Sequence, residues 1–197
     1  MNFMSDKKKI RKIILEKRGQ LSQEEIQKNS KKIMDKVFSL KEFINAKIVM
    51  FYVDAKNEVQ TREAITKALA MGKRVVVPKT LKGHGLEAVE IKSLDELKPG
   101  VFGIMEPEQK VGIDPQEIDF VVVPGVAFDK NCARIGYGAG YYDHFLPKLR
   151  PEVKKVAVAF DIQVLDKIDS EPHDVKMDLV ITENQVFPEE LSHFDIR

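Results

Sequence analysis

The sequence predicts an α/β fold with three layers, in which helices cover both faces of a mostly parallel, Rossmann-like central sheet. Several short runs of β-branched and aromatic residues lack polar alternation, which is typical of strands buried on both faces. Segments with apolar residues at helical spacing precede these runs and separate the first two. No repeat or long linker divides the chain, so we expect one domain over residues 1–197.

Two helices are predicted before the first strand. Ile10, Ile13 and Ile14 recur at helical spacing among lysines and arginines, and we expect this helix to end at Gly19. Residues 22–25, SQEE, read as a capping box that begins the second helix. The core-facing stripe of the second helix is expected to contain Ile26, Ile33, Met34, Val37 and Phe38.

The predicted strands follow these helices. Residues 47–53, KIVMFYV, form the first of them. A helix that closes at Gly72 separates it from the second, and its apolar stripe is Ala64, Ile65, Ala68 and Leu69. The later strands are expected in the runs RVVVP, LEAVEI, DFVVVP, KVAVAF and DLVIT.

Composition narrows the classes of function. The chain is 43% hydrophobic and 32% charged with a formal net charge of +1, so it can bury a sizeable core but has no global polyanion-binding character. The single cysteine, Cys132, excludes an internal disulfide framework and a multi-cysteine zinc site. No apolar run suits a signal peptide or a bilayer span. We therefore expect a cytoplasmic protein without a membrane or nucleic-acid partner.

The segment ARIGYGAGYYDHF, Ala133 to Phe145, is the densest candidate site. Its glycines alternate as G-x-G-x-G, which matches neither the dinucleotide fingerprint nor the Walker loop. Alternate glycines let backbone N–H groups converge on an anion, and a helix starting behind them would add partial positive charge. A tight turn packed on the sheet explains the glycines equally well. The stripe of that helix is expected to contain Tyr141, Tyr142, Phe145, Leu146 and Leu149.

Charged residues around this loop favour a bound ligand over plain packing. Arg134 can bind a phosphate or carboxylate with two parallel hydrogen bonds. Asp143 is a candidate ligand for a hard cation, and Asp174 and Asp178 are a second source of carboxylates. Mg²⁺ takes one or two carboxylates together with phosphate oxygens and water. The basic segment 7–12, KKKIRK, either reaches a polyphosphate or faces solvent, and spacing does not decide between these.

Residues 121–143, VVVPGVAFDKNCARIGYGAGYYD, closely resemble the signature of the 5-formyltetrahydrofolate cyclo-ligase family, also called 5,10-methenyltetrahydrofolate synthetases. The likeness extends over most of the chain, through the basic first helix and the stretches FYVDAKNEV, VFGIMEP and EPHDVKMD. It implies an ATP- and Mg²⁺-dependent enzyme that phosphorylates the formyl oxygen of 5-formyltetrahydrofolate. The other folate nitrogen then attacks and phosphate leaves. Such chemistry needs positioning and charge neutralisation, which agrees with the lack of a recognisable Ser-His-Asp or Cys-His arrangement.

The resemblance also implies roles for particular residues. Asp143 and Asp174 would hold Mg²⁺, and Arg134 and Tyr142 would act on the reacting groups. The carboxylate of Glu58 suits the pterin ring, which offers adjacent N–H donors. The implied folate contacts are Tyr52, Glu58, Tyr137 and Tyr141. The implied ATP contacts are Lys7, Lys8, Arg11, Arg134, Ile135, Gly136, Tyr137, Gly138, Ala139, Gly140, Tyr141 and Tyr142. Both partners are small molecules, and a monomer or weak dimer is expected.

Two residues depart from the family's pattern. Cys132 stands near a position where the family usually has glycine, and cysteine accepts a positive φ poorly. Pro147 falls inside the expected helix behind the loop, where it removes a backbone donor, so we expect the helix to kink or begin anew there.

Two alternatives remain open at this point. A sugar-phosphate isomerase or acyl-transfer enzyme on a related α/β scaffold would use Glu58 as its base but would leave the Asp143 and Asp174 pair unexplained. A non-catalytic nucleotide- or folate-binding protein with a decayed site is the other. The presence of Arg134, the glycines and Asp143 argues against decay.

Overall fold

All six predicted strands lie side by side in the computed structural model, which describes residues 6–83, 85–109 and 111–189. The helices are α1 (Lys7–Gly19), α2 (Gln23–Ser39), α3 (Lys41–Asn45), α4 (Arg62–Ala70) and α5 (Tyr141–Phe145). The strands are β1 (Ile48–Met50), β2 (Arg74–Leu81), β3 (Gly85–Ile91), β4 (Leu97–Pro99), β5 (Met105–Pro107), β6 (Phe120–Val123), β7 (Ala127–Asp129), β8 (Arg134–Ile135), β9 (Lys154–Val158), β10 (Val164–Leu165), β11 (Leu179–Ile181) and β12 (Val186–Phe187).

The central sheet has seven strands in the order β12-β11-β9-β6-β1-β2-β3. The five inner strands pair in parallel, and the edge strands β3 and β12 are antiparallel to their neighbours. The prediction of an α/β fold with a mostly parallel sheet is therefore confirmed. The carboxyl ends of the parallel strands meet at one edge, which is where open α/β sheets bind ligands.

The inner strands are buried on both faces, which explains why their sequences lack polar alternation. Val49 and Val75 face a core shared with α2, α3 and α4. Met50 and Val76 face a second core on the opposite side, to which the segment around α5 contributes. The capping box between Ser22 and Glu25 forms at the start of α2 as predicted. In the second helix, Ile26, Ile33, Met34 and Val37 are buried, and Phe38 packs against them partly exposed.

Helix α1 packs away from the central sheet. Ile10 and Ile14 join Val126 and Ile135 in a separate apolar cluster over a three-stranded sheet of order β10-β7-β8. Ile13 was expected on the same face, and that expectation is wrong because its side chain is 44% exposed. It lies about 100° around the helix from Ile14, beyond the narrow stripe that so small a sheet can cover.

The helix behind the glycine loop is shorter than the apolar stripe predicts. α5 has five residues, and Pro147 lies in a separate 3₁₀ turn over Leu146–Lys148. We expected the helix to kink or begin anew at Pro147, and this expectation is confirmed.

Cys132 has φ +69°, so it adopts the left-handed conformation that the family's usual glycine would favour. No helix in the described part of the chain is both long and apolar enough to cross a bilayer.

Candidate active site

The candidate site lies where the chain leaves β6, at the carboxyl edge of the central sheet. Arg134 Nε donates to the Pro124 carbonyl at 2.7 Å. The Gln163 side chain, which is 2% exposed, donates to the Gly125 and Val126 carbonyls. An added Cβ at Gly125 would lie 2.5 Å from the Phe128 ring, so only glycine fits this approach. Two side chains from later in the chain therefore hold this turn in place.

Arg134 is a buried cation at the centre of the site, with a side chain that is 4% exposed. Its guanidinium lies over the Tyr142 ring, 5.4 Å from the centroid, and Nη1 is 3.9 Å from Asp143. Burial lowers the pKa of Arg134, while the charges of Asp143 and Asp174 act in the opposite direction. Both carboxylates are thus close enough to act on one buried guanidinium.

The glycines of the loop are required by different features of the structure: close packing at Gly136, and a positive φ at Gly138 and Gly140. An added Cβ at Gly136 would lie 3.0 Å from Arg134 Nη2, so this glycine lets the guanidinium pack on the backbone. Gly138 and Gly140 have φ +111° and +75°, where other residues are strained. Arg11 Nε donates to the Gly136 carbonyl at 2.8 Å and ties the loop to α1. The loop is exposed beyond this tie, which leaves its backbone open to an anion.

The remaining predicted loop residues divide into exposed and buried ones. Ala139 is exposed, whereas the Ile135 side chain is buried in the α1 cluster, so only the backbone of Ile135 can contact a ligand. Tyr141 packs partly buried against the second core. The predicted support from a helix N-terminus is weak, since α5 has five residues and a short helix has a small dipole.

Tyr142 has a buried hydroxyl without a hydrogen-bond partner among the described residues. Burial raises the pKa of this phenol, so the hydroxyl keeps its proton and can donate it in a hydrogen bond. An unpaired buried hydroxyl is costly unless a ligand satisfies it. The unpaired Tyr142 hydroxyl therefore favours the interpretation of the loop as a binding site over its interpretation as a packed turn.

Two carboxylates flank Arg134 and fit the requirements of Mg²⁺. Asp143 Oδ1 accepts a weak hydrogen bond of 3.4 Å from the Val175 N–H, which brings the two segments together. Asp174 accepts from the Glu171 N–H at 2.8 Å and from Lys7 Nζ at 2.9 Å. Burial alone would raise the pKa of Asp174, but these two donors outweigh it and hold the pKa below its ordinary value. Two carboxylates beside a loop with exposed backbone suit a cation that completes its shell with phosphate and water.

The second candidate carboxylate near this segment has a structural role. Asp178 accepts from the Lys155 N–H at 2.8 Å and pairs with the Lys155 ammonium at 3.2 Å. It thereby orders the starts of β9 and β11, at the edge of the sheet opposite the site.

Helix α1 presents one basic face to the site. Lys7, Arg11 and Arg18 lie within about 40° of each other around the helix, because each residue advances about 100°. Each of the three contacts a different part of the site, as the ion pair of Lys7 and the bond of Arg11 already indicate. Lys8 is exposed on another side of the helix, so the structure does not bring it together with them.

Glu58 lies on a tight turn after β1. The Glu58 N–H donates to the Ala55 carbonyl, and the two residues between them, Lys56 and Asn57, have φ +44° and +64°. Positive φ at both central positions describes a type I′ turn, which is strained for lysine. The Glu58 carboxylate accepts from the Ala55 N–H and the Tyr137 hydroxyl, each at 2.8 Å. Burial raises the pKa of Glu58, although both hydrogen bonds oppose the rise.

Tyr52 stabilises the segment that follows this turn. Its hydroxyl, which is buried, donates to the Val59 carbonyl at 2.6 Å. Tyr52 borders a narrow crevice together with Arg18, Glu58 and Gln163, and this crevice has essentially no room for a water molecule. The Tyr52 hydroxyl is already paired with the backbone and the residue is 4% exposed, so little of Tyr52 is open to a ligand.

Two residues of the site were missed by sequence reasoning. Arg18 is 2% exposed and donates to the Tyr137 hydroxyl at 2.8 Å and to the Lys56 carbonyl at 3.0 Å. Its spacing of seven residues from Arg11 places both on one helix face and was a usable signal. Gln163 had no such signal, since nothing in its sequence neighbourhood indicates that it reaches the turn after β6.

The chain is similar to known proteins of one family over nearly its whole length. The model of the 5-formyltetrahydrofolate cyclo-ligase family matches residues 3–183. A probable 5-formyltetrahydrofolate cyclo-ligase of Caenorhabditis elegans is 34% identical, with 85% of this chain and 87% of the relative covered. The solved 5,10-methenyltetrahydrofolate synthetase of Aquifex aeolicus is 36% identical with a TM-score of 0.82, covering 92% of this chain and 91% of that one. That of Mycoplasma pneumoniae is 29% identical with a TM-score of 0.74, covering 90% and 99%.

Proposed function

The chain belongs to the 5-formyltetrahydrofolate cyclo-ligase family, and we propose that it converts 5-formyltetrahydrofolate and ATP to 5,10-methenyltetrahydrofolate, ADP and phosphate with Mg²⁺. The observation that carries this proposal is the hydrogen bond of 2.8 Å from Tyr137 to Glu58. It joins a loop that suits phosphates to a carboxylate that suits a pterin ring. Direct phosphoryl transfer requires that donor and acceptor lie side by side.

Cations on the glycine loop and on α1 supply the proposed ATP site. Arg11 donates to the Gly136 carbonyl of the loop, and the Arg134 guanidinium, which packs beside Gly136, is buried where its charge is weakly screened. Such a guanidinium can neutralise charge that develops on the transferred phosphoryl group. Lys7 extends the same cationic surface toward the outer phosphates.

Asp143 and Asp174 are the proposed holders of Mg²⁺. When bound, this ion would neutralise phosphate charge and orient the terminal phosphoryl group. The two carboxylates leave most of the coordination shell to phosphate oxygens and water, as is usual for this ion. No group of three or more potential metal-ligating side chains occurs in the described residues.

Glu58 and Tyr142 are the proposed folate-facing groups. The Glu58 carboxylate would accept hydrogen bonds from the pterin N–H groups and orient the ring. The unpaired Tyr142 hydroxyl would donate to the formyl oxygen. That oxygen forms a bond to the terminal phosphorus of ATP as the bond to ADP breaks. The second folate nitrogen then attacks the formyl carbon and releases its proton to solvent, and the carbon–oxygen bond breaks to release phosphate.

Family membership removes the support for the two alternatives left open by the sequence. An isomerase or acyl-transfer enzyme would use Glu58 as a base, yet Glu58 already accepts two hydrogen bonds that orient it as an acceptor. The buried, unpaired Tyr142 hydroxyl and the buried Arg134 argue against a decayed site. We retain a cytoplasmic location, one domain and a monomer or weak dimer as parts of the proposal.

Turnover of 5-formyltetrahydrofolate tests the proposal. The near-ultraviolet absorbance of the methenyl product should grow only when protein, ATP and Mg²⁺ are all present. Asp143→Asn should lower kcat by about 100-fold or more while the protein stays folded, because the metal loses a ligand. Asp178→Asn is the matched control, since it removes a carboxylate that orders strands; it should lower the melting temperature and spare the Mg²⁺ dependence. No product from folded wild-type protein would refute the proposed function.

A further inference from the structure

Arg18 is a buried cation whose two hydrogen bonds both end beside Glu58. Its guanidinium donates to the Tyr137 hydroxyl through Nη1 and to the Lys56 carbonyl through Nη2. It forms no ion pair with a carboxylate among the described residues. A buried charge without an ion pair is unfavourable unless other groups compensate it, and here the compensating groups are the Tyr137 hydroxyl and ring, the Lys56 carbonyl and the charge of Glu58.

We propose that Arg18 is a positioning residue for the folate substrate, which fixes both the Tyr137 hydroxyl and the turn at Lys56 so that the Glu58 carboxylate keeps one orientation. This inference rests on the proposed function, because it assigns Arg18 to the folate side of the same reaction. Arg18 itself need not contact the folate.

The hydrogen bond from Arg18 Nη1 sets the direction of the Tyr137 hydroxyl. Arg18 has only donors, so the Tyr137 oxygen must accept from it. The proton of that hydroxyl is then left to point at Glu58, to which it donates at 2.8 Å. Without Arg18, the hydroxyl could rotate or bond to water, and Glu58 would lose a fixed donor.

The hydrogen bond from Arg18 Nη2 holds the strained turn that carries Glu58. Lys56 and Asn57 both have positive φ, a conformation that persists only where the surroundings impose it. Arg18 Nη2 donates to the Lys56 carbonyl at 3.0 Å, at the centre of this turn. A lysine at position 18 has a single ammonium and cannot span both acceptors with the geometry of a planar fork.

The charge of Arg18 acts on Glu58 in the same direction. Burial raises the pKa of the Glu58 carboxyl, and the nearby Asp54 adds to the rise. The Tyr137 hydroxyl, the Ala55 N–H and the Arg18 charge act against it. Arg18 therefore helps Glu58 to remain the ionised acceptor that pterin N–H donors require.

Helix α1 thereby joins the two substrate sites. Its first half carries Lys7 and Arg11, the proposed phosphate contacts, and its last turn carries Arg18. Arg11 contacts Gly136, and Arg18 contacts the neighbouring Tyr137 on the same loop. One rigid helix can thus set the spacing between the phosphate and folate sides.

Steady-state kinetics of Arg18→Gln, with Arg18→Lys and Lys17→Gln beside it, test the inference. Arg18→Gln should raise KM for 5-formyltetrahydrofolate by about tenfold or more, the loss expected for hydrogen bonds of a charged group, and leave KM for ATP within about twofold. Arg18→Lys should recover little of the loss. Lys17→Gln removes an exposed cation from the same turn and should match the wild type.

A double-mutant cycle with Tyr137→Phe separates positioning from general packing. Because Arg18 acts partly through Tyr137, the loss of folate affinity in the double variant should be smaller than the sum of the two single losses, and what it loses beyond Tyr137→Phe alone measures the bond to the Lys56 carbonyl. Fully additive losses, or equal rises in KM for ATP and folate, would overturn the inference even if the wild type turns over 5-formyltetrahydrofolate.

Carboxyl ¹³C NMR provides a measurement that does not depend on turnover. The pKa of Glu58 should rise in Arg18→Gln and in Tyr137→Phe, and stay unchanged in Lys17→Gln. An unchanged pKa in both of the first two variants would refute the link from Arg18 to Glu58. Failure of the wild type to form product, with these pKa shifts present, would instead refute the proposed function and leave the link standing.

Discussion

The Lys7 ammonium lies 2.9 Å from a carboxylate oxygen of Asp174, although 167 residues separate them in the chain. Both side chains are largely shielded from solvent, at 23% and 10% exposure. The first turn of α1 is therefore fastened to a proposed metal ligand. A divalent cation bound at Asp174 would compete with Lys7, which would then be free to contact the nucleotide.

Lys7→Met should separate these two roles of Lys7. We expect Mg²⁺ to bind the nucleotide-free variant more tightly than the wild type, because its competitor is gone, and KM for ATP to rise by about tenfold. Isothermal titration calorimetry measures the first quantity and initial rates the second. Lys9→Met, on the exposed side of α1, is the control. Unchanged Mg²⁺ affinity in Lys7→Met would mean that the ion does not use Asp174.

Gly136→Ala should damage the site without unfolding the protein. The new methyl group would lie 3.0 Å from Arg134 Nη2 and would displace the guanidinium. A shift on the scale of 1 Å costs about 100-fold in rate when groups must be aligned, so kcat/KM should fall by roughly that factor. Gly19→Ala, where a methyl group meets no atom within 4 Å, should leave the kinetics unchanged. Equal kinetics for both variants would contradict the packing of Arg134 on Gly136.

Glu58→Gln should change how stability depends on pH. A carboxyl whose pKa is raised by folding binds its proton more tightly in the folded state. Its contribution to stability is therefore greatest below the unfolded pKa and is lost as the pH rises through the folded pKa. Glutamine does not titrate, so the melting temperature of Glu58→Gln relative to wild type should improve from acidic to neutral pH, as thermal scans can measure.

The exposed carboxyl of Glu63 supplies the control for this prediction. Glu63→Gln removes an exposed carboxyl and is scanned beside Glu58→Gln. At neutral pH, Glu58→Gln should also raise KM for 5-formyltetrahydrofolate more than KM for ATP. A relative stability that is flat with pH would show that Glu58 titrates alike in the folded and unfolded states.

Cys132 should resist alkylation in the native protein. Burial raises the pKa of its thiol to about 12, and the charges of Asp129 and Asp178 add to the rise. The reactive thiolate is therefore scarce even at mildly alkaline pH. Mass spectrometry after treatment with iodoacetamide should find Cys132 unmodified in the folded protein and fully modified in urea. Rapid modification of the native protein would show that the segment opens readily.

The strands were predictable because burial on both faces leaves a direct mark on the sequence. The strands β1, β2, β6, β9 and β11 each contain at least three consecutive apolar residues that are buried, and each is an inner strand. The short strands of the smaller sheets were missed. β8 and β10 have two residues each, too few for any periodicity. β10 pairs with β7, which lies far away in the sequence.

The candidate site was predictable where residue chemistry is specific and unpredictable where geometry decides. Arg134, Asp143 and Asp174 were identified from charge and resemblance, and the structure brings them together around one buried guanidinium. Lys8 and Ile135 were included among the ATP contacts because they adjoin such residues. In the structure, Lys8 is exposed on another side of α1, and the side chain of Ile135 is buried. Gln163 acts through bonds to distant backbone carbonyls, which no local pattern encodes. The spacing of Arg18 from Arg11, by contrast, was a signal that could have been used.

The separate apolar cluster beneath α1 has a consequence for how the molecule opens. Ile10 and Ile14 pack on the three-stranded sheet and share no core with the central one. Loss of that small cluster would release α1 while the large sheet stays intact, in the manner of a cooperative unit with its own free energy of opening. Amide hydrogen exchange should therefore show α1, β7 and β8 losing protection together, ahead of β1, β6 and β9. Bound ATP should slow that early exchange, because the nucleotide would bridge the two units.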